Sequence, residues 1–452
     1  MSGIFKAYDI RGIYDTDFND DTAYRIGAAF VSIIEAGDIV IARDMRLSSP
    51  SLAEAFIKGA LNSGAQIKDI GMTTTPLLYF ATIEGNFDGG VMVTASHLPA
   101  KYNGFKLCRK SAVPLSAKHG LPDIEKLVTK EISVTGKSTQ KGTVEKISFM
   151  QQYIDRLKSF VRNPKPLKIV IDAGNGMVGP EVAELYKNFP VWDLITMYMK
   201  PDGRFPHHVA NPLIESTTID LQKKVVEEKA DIGIAFDGDA DRCGFIDEKG
   251  DRIPEDLVTA LIAESFLADN PGSAIIYDLR SSRVVAETIS RLGGRPLRSR
   301  VGHAFIKEMM RKEDAIFAGE LSGHYYYRDT GFTDNAIFTM IWMLNFLASK
   351  NTPLSSLVKS LKKYNSTGEI NIRIENKEPV FHALEKSYAD AHIDHLDGLT
   401  VEYKSWWFNL RPSNTEPVIR LNMEANDSKT LEEKKREVLD NIKNAEPKMQ
   451  IV

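Results

Sequence analysis

Cysteine is nearly absent: the 452 residues hold two, Cys108 and Cys243. Two thiols cannot build a disulfide framework, so packing must stabilise the chain, and a reducing compartment fits. Both sit beside apolar runs, as small buried residues would. Long apolar runs are also missing, none approaching the ~20 residues that cross a bilayer. The opening stretch Met1-Ser2-Gly3-Ile4-Phe5-Lys6-Ala7-Tyr8-Asp9 has no apolar signal core, which predicts a cytoplasmic protein. No tract is polybasic and the net charge is −4, so neither nucleic acid nor a membrane is an expected partner. What is present is ordinary for a globular chain, 43% hydrophobic and 26% charged. At about 150 residues per domain, three or four domains are expected.

Strands and helices alternate along most of the chain, predicting α/β layers. Strands are expected at Asp38 to Arg43, Gln66 to Ile70, Val91 to Val93, Leu167 to Ile171, Ile232 to Phe236, Ala274 to Tyr277 and Ala315 to Ala318. Helices are expected from Ser49-Pro50, after Thr75-Pro76, at Ile124 to Glu131, near Ile147 to Val161, Thr217 to Ala230, Pro254 to Leu267, Val284 to Leu292 and Asp334 to Leu347. Asn163-Pro164-Lys165-Pro166 is a candidate linker. Three α/β units of similar length suggest an old internal repeat. From about Gly368 the pattern changes to a small α+β domain, with strands at Glu369 to Ile374, Leu399 to Tyr403 and Val418 to Met423.

Four stretches carry chemistry. The strand Val91 to Val93 stops at Thr94-Ala95-Ser96-His97, and Pro99 bars its continuation. Ser96 therefore lies on a loop at a strand end, where a rigid sheet can hold a nucleophile; a plain turn is the rival reading. Asp237, Asp239 and Asp241 alternate after another strand, and on an extended segment they face one way. Three converging carboxylates ask for a hard cation with oxygen ligands, Mg²⁺ or Ca²⁺. An EF-hand is excluded, since Arg242 stands where Gly is needed and a strand precedes the loop. A strand-end Ser and a cation site together suggest phosphoryl transfer through a covalent serine. A phosphoserine brings about −2 and the aspartates −3, so cations are needed: Arg242, and Arg11 and Lys106 from other loops. Glu320, Ser322 and His324 share a glycine-flanked loop that suits sugar hydroxyls. Arg411-Pro412-Ser413-Asn414-Thr415-Glu416-Pro417 offers an Arg, hydroxyls and turn N–H groups, as a phosphate requires.

Two motifs are set aside. Gly174-x-Gly176-x-x-Gly179 satisfies a dinucleotide pattern, but Asp193 is not clearly at a strand end, so a tight turn opening a helix is preferred. His207-His208 are adjacent, rarely chelate one ion, and are read as solvated loop histidines.

In order, Thr94-Ala95-Ser96-His97-x-Pro99, Asp237-Gly238-Asp239-Ala240-Asp241-Arg242, Gly319-Glu320-x-Ser322-Gly323-His324 and the Arg411 to Pro417 stretch resemble the α-D-phosphohexomutase family, most of all its phosphomannomutase/phosphoglucomutase branch. The likeness extends to Tyr8-Asp9-Ile10-Arg11-Gly12, Asp44-x-Arg46-x-Ser48, Tyr102 to Lys106 and Gly302-His303, and so covers nearly the whole chain. It implies three related mixed α/β sandwich domains and a C-terminal α+β domain around a central cleft, expected at 1–145, 146–250, 251–365 and 366–452. It implies a phosphoserine at Ser96 and Mg²⁺ held by Asp237, Asp239, Asp241 and the Ser96 phosphate. Arg11, Lys106, Arg242 and His303 would assist with charge and proton transfer. Tyr8, Arg280, Glu320, Ser322, His324, Arg411, Ser413, Asn414, Thr415 and Arg420 would bind substrate. The implied reaction interconverts hexose 1- and 6-phosphates of mannose or glucose through a hexose 1,6-bisphosphate, which also serves as activator, in a monomer or homodimer.

Three departures bear on this. Leu98 stands where most members have Asn, and Leu321 where the phosphoglucosamine branch usually has Gln, which lowers that alternative. Thr333-Asp334-Asn335-Ala336 departs from the usual ending of its stretch and leaves the helix start there open. A phosphoglucosamine mutase and a non-catalytic, metal-bound sugar-phosphate sensor remain the competing readings; intact Ser96, Lys106 and Arg242 argue against the second. A phosphatase has no evident use for a second phosphate site.

Overall fold

The structure is a computed structural model and describes residues 3–129, 142–413 and 418–452. Four sheets organise it. In the first, Asp38–Arg43 lies between parallel neighbours Gln66–Met72 and Gly89–Val93, and Tyr102–Arg109 then runs antiparallel beside Gly89–Val93. In the second, Leu167–Asp172 lies between parallel Trp192–Met197 and Ile232–Phe236, with antiparallel Cys243–Asp247 beyond. In the third, Ala274–Asp278 lies between parallel Arg295–Ser299 and Phe317–Gly319, with antiparallel Tyr325–Tyr327 beyond. The same winding three times bears out the internal repeat. The fourth sheet is antiparallel, with Trp406–Pro412 and Val418–Ala425 near its centre and Glu378–Ser387 and Ser428–Ala445 packed together nearby.

The repeat fixes where function lies. In each of the three α/β lobes the motif loop leaves the C-terminal end of the third parallel strand: Ser96 after Gly89–Val93, Asp237 after Ile232–Phe236, Glu320 after Phe317–Gly319. Ligands in open α/β sheets gather outside these carboxyl ends.

One core cluster fills the first lobe and another the fourth, while the largest runs through the second and third. At its centre is Ala336–Ser349, buried on nearly every face and packed on Glu255–Asp269. Asn335 sets its start by accepting the Phe338 N–H at 2.9 Å, which resolves the open helix boundary. No helix among the described residues is long and apolar enough to cross a membrane.

Several expectations change. Met150–Lys158 is shorter than the helix foreseen over Ile147 to Val161. Leu121–Thr129 is the helix expected at Ile124 to Glu131, whose last two residues lie outside the described ones. The strand Arg295–Ser299 and the helices His303–Glu313 and Leu354–Leu361 were not foreseen. Asp193 is exposed near the start of the strand Trp192–Met197 and not at its end, in keeping with setting the dinucleotide pattern aside. Gly174-x-Gly176-x-x-Gly179 is a tight turn into the helix Val178–Tyr186, and it packs on the aspartate loop: Met177 N–H donates to Gly238 O at 2.9 Å. His207 and His208 are not simply solvated, because Asn175 and Asp172 bind them at 2.8 and 3.0 Å and His207 stacks on Tyr198.

Candidate active site

Ser96 is buried and holds φ +51°, a left-handed conformation that costs a non-glycine residue about 1 kcal/mol or more. Its surroundings enforce it. Thr94 Oγ1 accepts the Ser96 N–H at 2.9 Å, and Arg46, also fully buried, donates to the carbonyls of Ser96, Leu98, Pro99 and Tyr102 at 2.6–2.9 Å. Asp44 fixes that guanidinium at 3.0 Å and also accepts from Ser49 and Thr94. Gly238 must be glycine, because a Cβ there would lie 2.5 Å from Ser96 O. The serine and aspartate loops therefore touch backbone to backbone.

Across that contact Ser96 Oγ donates to Asp237 Oδ2 at 2.7 Å, and His97 Nδ1 lies 3.2 Å away on its other side. Ligand oxygens of Asp237, Asp239 and Asp241 lie within 4.8 Å of one another. They converge through a turn, not along an extended segment: Ala240 has φ +60°, and Asp237 Oδ1 accepts the N–H groups of Asp241 and Arg242. Lys106 Nζ bridges Asp239 (2.7 Å) and Asp241, and Thr75 Oγ1 donates to Asp239 at 2.5 Å. Asp239 Oδ1 is buried without a hydrogen-bond partner, and Asp241 Oδ1 has none either, with His324 Nε2 3.4 Å away. Orphaned carboxylate oxygens around one point are a donor set suited to a hard cation, and the Lys106 ammonium stands beside them as a cation already drawn in. Burial and the neighbouring aspartates push Asp237 well above the usual carboxylate range; Lys106, His324 and Arg242 outweigh burial and hold Asp241 well below it.

The third lobe's loop joins this network. Arg242 Nε donates to His324 Nε2 at 3.2 Å, and His324 Nδ1 lies 2.8 Å from Ser322 Oγ. Glu320 accepts from Tyr326 at 2.8 Å; against its burial, His324 and Arg280 keep it ionised. The Tyr8 ring meets His303 edge-on at 5.1 Å, and burial pushes the Tyr8 hydroxyl up to about 12. Burial and Lys307 drive His303 well below its ordinary value, leaving a neutral imidazole whose Nδ1 has no partner.

A second cluster lies between the third and fourth lobes. Arg280, braced on Asp278, donates to Glu369 at 3.2 Å, Arg411 to the same carboxylate at 2.8 Å, and Arg420 lies 3.3 Å from its other oxygen. Arg411 is on the strand Trp406–Pro412 opposite Arg420, not on a loop; Arg11 and Lys106 likewise sit on the paired strands Ile10–Ile13 and Tyr102–Arg109. Strand placement fixes all three more rigidly than a loop would. Ser413 follows the Arg411 strand directly, donating its N–H to Val418 O at 2.9 Å. Asn414 and Thr415 lie outside the described residues.

The predicted residues thus form two groups, one around Ser96 and the aspartates and one around Glu369. Sequence reasoning missed the Arg46 clasp, Thr75, His97 and Glu369. Asp44-x-Arg46 and His97 had carried a signal, each within a motif of the resemblance and without a role.

A strained serine on an acidic cluster, with an arginine site one lobe away, defines an enzyme that moves phosphoryl groups on a phosphorylated substrate. Family models for the phosphoglucomutase/phosphomannomutase α/β/α domains I, II and III and the C-terminal domain match residues 2–135, 151–250, 254–364 and 369–441. A phosphomannomutase of Escherichia coli is 41% identical over 447 residues, covering 96% of this chain and 98% of its own length. A phosphoglucomutase/phosphomannomutase family protein of Burkholderia thailandensis superposes with TM-score 0.92 at 33% identity over 99% of both chains. An Aspergillus fumigatus N-acetylphosphoglucosamine mutase, solved with GlcNAc-6P and magnesium, shares the fold at TM-score 0.65 and 15% identity, over 98% of this chain and 96% of that one. The chain belongs to the phosphoglucomutase/phosphomannomutase family, and its activity is that of a hexose-phosphate mutase.

Proposed function

We propose that the protein interconverts the 1- and 6-phosphates of mannose and glucose through a phosphoserine at Ser96 and a hexose 1,6-bisphosphate. The observation that carries this reading is Ser96 Oγ donating to Asp237 at 2.7 Å inside the acidic cluster. In the first half-reaction a free sugar hydroxyl attacks the phosphorus on Ser96. The new P–O bond forms, the P–Oγ bond breaks, and the hydroxyl proton reaches Ser96 Oγ through a neighbouring base. The bisphosphate turns around, and its other phosphate returns to Ser96 by the same steps reversed. His303, neutral with an unpartnered Nδ1, suits the proton transfer, while Arg11, Lys106 and Arg242 offset charge.

Asp237, Asp239, Asp241 and an oxygen of phosphorylated Ser96 would hold Mg²⁺, which when bound polarises phosphoryl oxygens as a Lewis acid. The orphaned Asp239 and Asp241 oxygens and the magnesium of the Aspergillus neighbour support that assignment. Glu320, Ser322 and His324 take sugar hydroxyls beside Tyr8. Arg280, Arg411, Arg420, Ser413, Asn414 and Thr415 take the phosphate that is not reacting. The four units divide at 145, 250 and 365, so each lobe brings one motif to the cleft.

The test is mass spectrometry. Incubation with glucose 1,6-bisphosphate should add one phosphoryl group, mapped to Ser96, and Ser96→Ala should remove both label and mutase activity. Label on another residue, or an active Ser96→Ala variant, would overturn the covalent mechanism.

A further inference from the structure

A cavity of about 780 Å³ opens between the first and third lobes, outside the serine and aspartate loops. Lys6, Arg109, Lys118, Arg300 and Arg311 line it, against a single carboxylate, Glu308. On a chain of net charge −4 this concentration of one sign stands out. The cations are poorly neutralised. Arg109, Lys118 and Glu308 make no ion pair among the described residues, Lys6 donates to Gly3 O, and Arg311 donates only to carbonyls of Lys307, Ser111 and Gly331. Arg300 reaches Asp397 only at 3.8 Å, and its Nε is buried without a partner.

Backbone and rings add to this. The helix His303–Glu313 begins beside the cavity with Ala304 in the wall, and Gly302 supplies no capping side chain, so the positive end of the helix lies next to it. Phe305 offers a ring with Arg300 4.5 Å and Lys118 5.4 Å from its centroid. Tyr8 forms the wall towards His303.

We infer that this cavity is a second anion site, meeting the mutase centre only at the Tyr8 wall, that takes a small molecule carrying a diphosphate and bridges the two lobes. Several guanidinium and ammonium groups with a helix N-terminus are the chemistry that recognises clustered phosphates, and the volume is that of a small-molecule site. An occupant would hold the Lys118 loop of the first lobe against the helix that starts at His303.

The experiment is calorimetric titration with inorganic pyrophosphate, without divalent metal, on the full chain. The mutase centre can also take this probe, so three proteins are compared: the unaltered chain, the exposed double variant Arg109→Ala/Lys118→Ala, and Arg411→Ala. The unaltered chain should bind at two sites. The double variant should lose one, its affinity falling about 10-fold or more as charge-assisted contacts vanish, and keep unchanged kcat/KM on hexose phosphates. Arg411→Ala should retain the component that the double variant loses. A single site abolished by Arg411→Ala, or a double variant that binds as the unaltered chain does, would overturn the proposal.

Discussion

Glu369 is the residue whose position has the sharpest consequence. Its carboxylate is where three arginines converge, and those groups hold it ionised against partial desolvation. A carboxylate with three guanidinium partners imitates a bound phosphate, so on the proposed assignment a substrate phosphate settling there exchanges with it instead of filling an empty site. Charge-assisted hydrogen bonds are worth roughly 1.5–3 kcal/mol each, and the exchange returns only the difference between two such sets. Glu369→Gln keeps the shape and removes the competing charge. KM for hexose phosphate should fall, by up to about 10-fold, with kcat little changed. Steady-state kinetics decide it; a raised KM would mean that Glu369 buttresses the arginines for their ligand. Nothing in the sequence marked this residue. It stands alone after Gly368, and a register shift in the strand pairing between Ser366 and Glu369 sets its direction, a local irregularity with no compositional signature.

Among elements, the loop from Thr94 to Pro99 depends on one side chain. Arg46 reaches four of its neighbouring carbonyls in a single fork while Asp44 neutralises it. A lysine preserves the charge but cannot supply that planar set of donors. Arg46→Lys should therefore leave the protein folded and slow Ser96 phosphorylation by glucose 1,6-bisphosphate about 10-fold or more, equivalent to ~1.4 kcal/mol per decade. Rapid-quench labelling at the unaltered rate would show that the clasp does not position the serine. The strands behind this loop were legible because alternating helices and strands at that spacing have few solutions. Other elements were hidden for physical reasons. Trp406–Pro412 is buried on both faces almost throughout, so it lacks the alternation that announces a strand, and its Arg411 read as loop. The helix His303–Glu313 turns Lys307 into the interior, against Asp334 at 3.1 Å and over the Tyr79 ring, which breaks the apolar stripe expected of a helix. The aspartate cluster was found for an incorrect reason: alternation implied convergence, yet a turn through Ala240 achieves it.

At the scale of the molecule, polar links join the lobes in series: Ser96 to Asp237, Arg242 to His324, Arg280 to Glu369. Behind the first of these lies a junction the motifs did not foretell. Glu181, in the first turn of Val178–Tyr186 in the second lobe, accepts from Thr73 Oγ1 at 3.0 Å and Thr74 N–H at 3.3 Å in the first. Its other oxygen is buried without a partner. Burial raises its pKa to about 7, with the threonine contacts offsetting only part of the effect. The sign of the pH dependence follows. Below the ordinary value near 4.5 the carboxyl is neutral whether the chain is folded or not, and burial exacts no charge penalty. Between there and pH 7 the unfolded chain loses the proton while the folded one keeps it, so stability falls as pH rises, and above 7 the full cost is present. At ~1.4 kcal/mol per pKa unit that cost is about 3 kcal/mol. Glu181→Gln removes this titration while keeping an acceptor for Thr73 and Thr74. Thermal unfolding of both proteins from pH 4.5 to 8 should show the variant gaining on the unaltered chain by about that amount across the interval, whatever its absolute stability. Parallel curves would mean that Glu181 is charged throughout and that the junction tolerates a buried carboxylate.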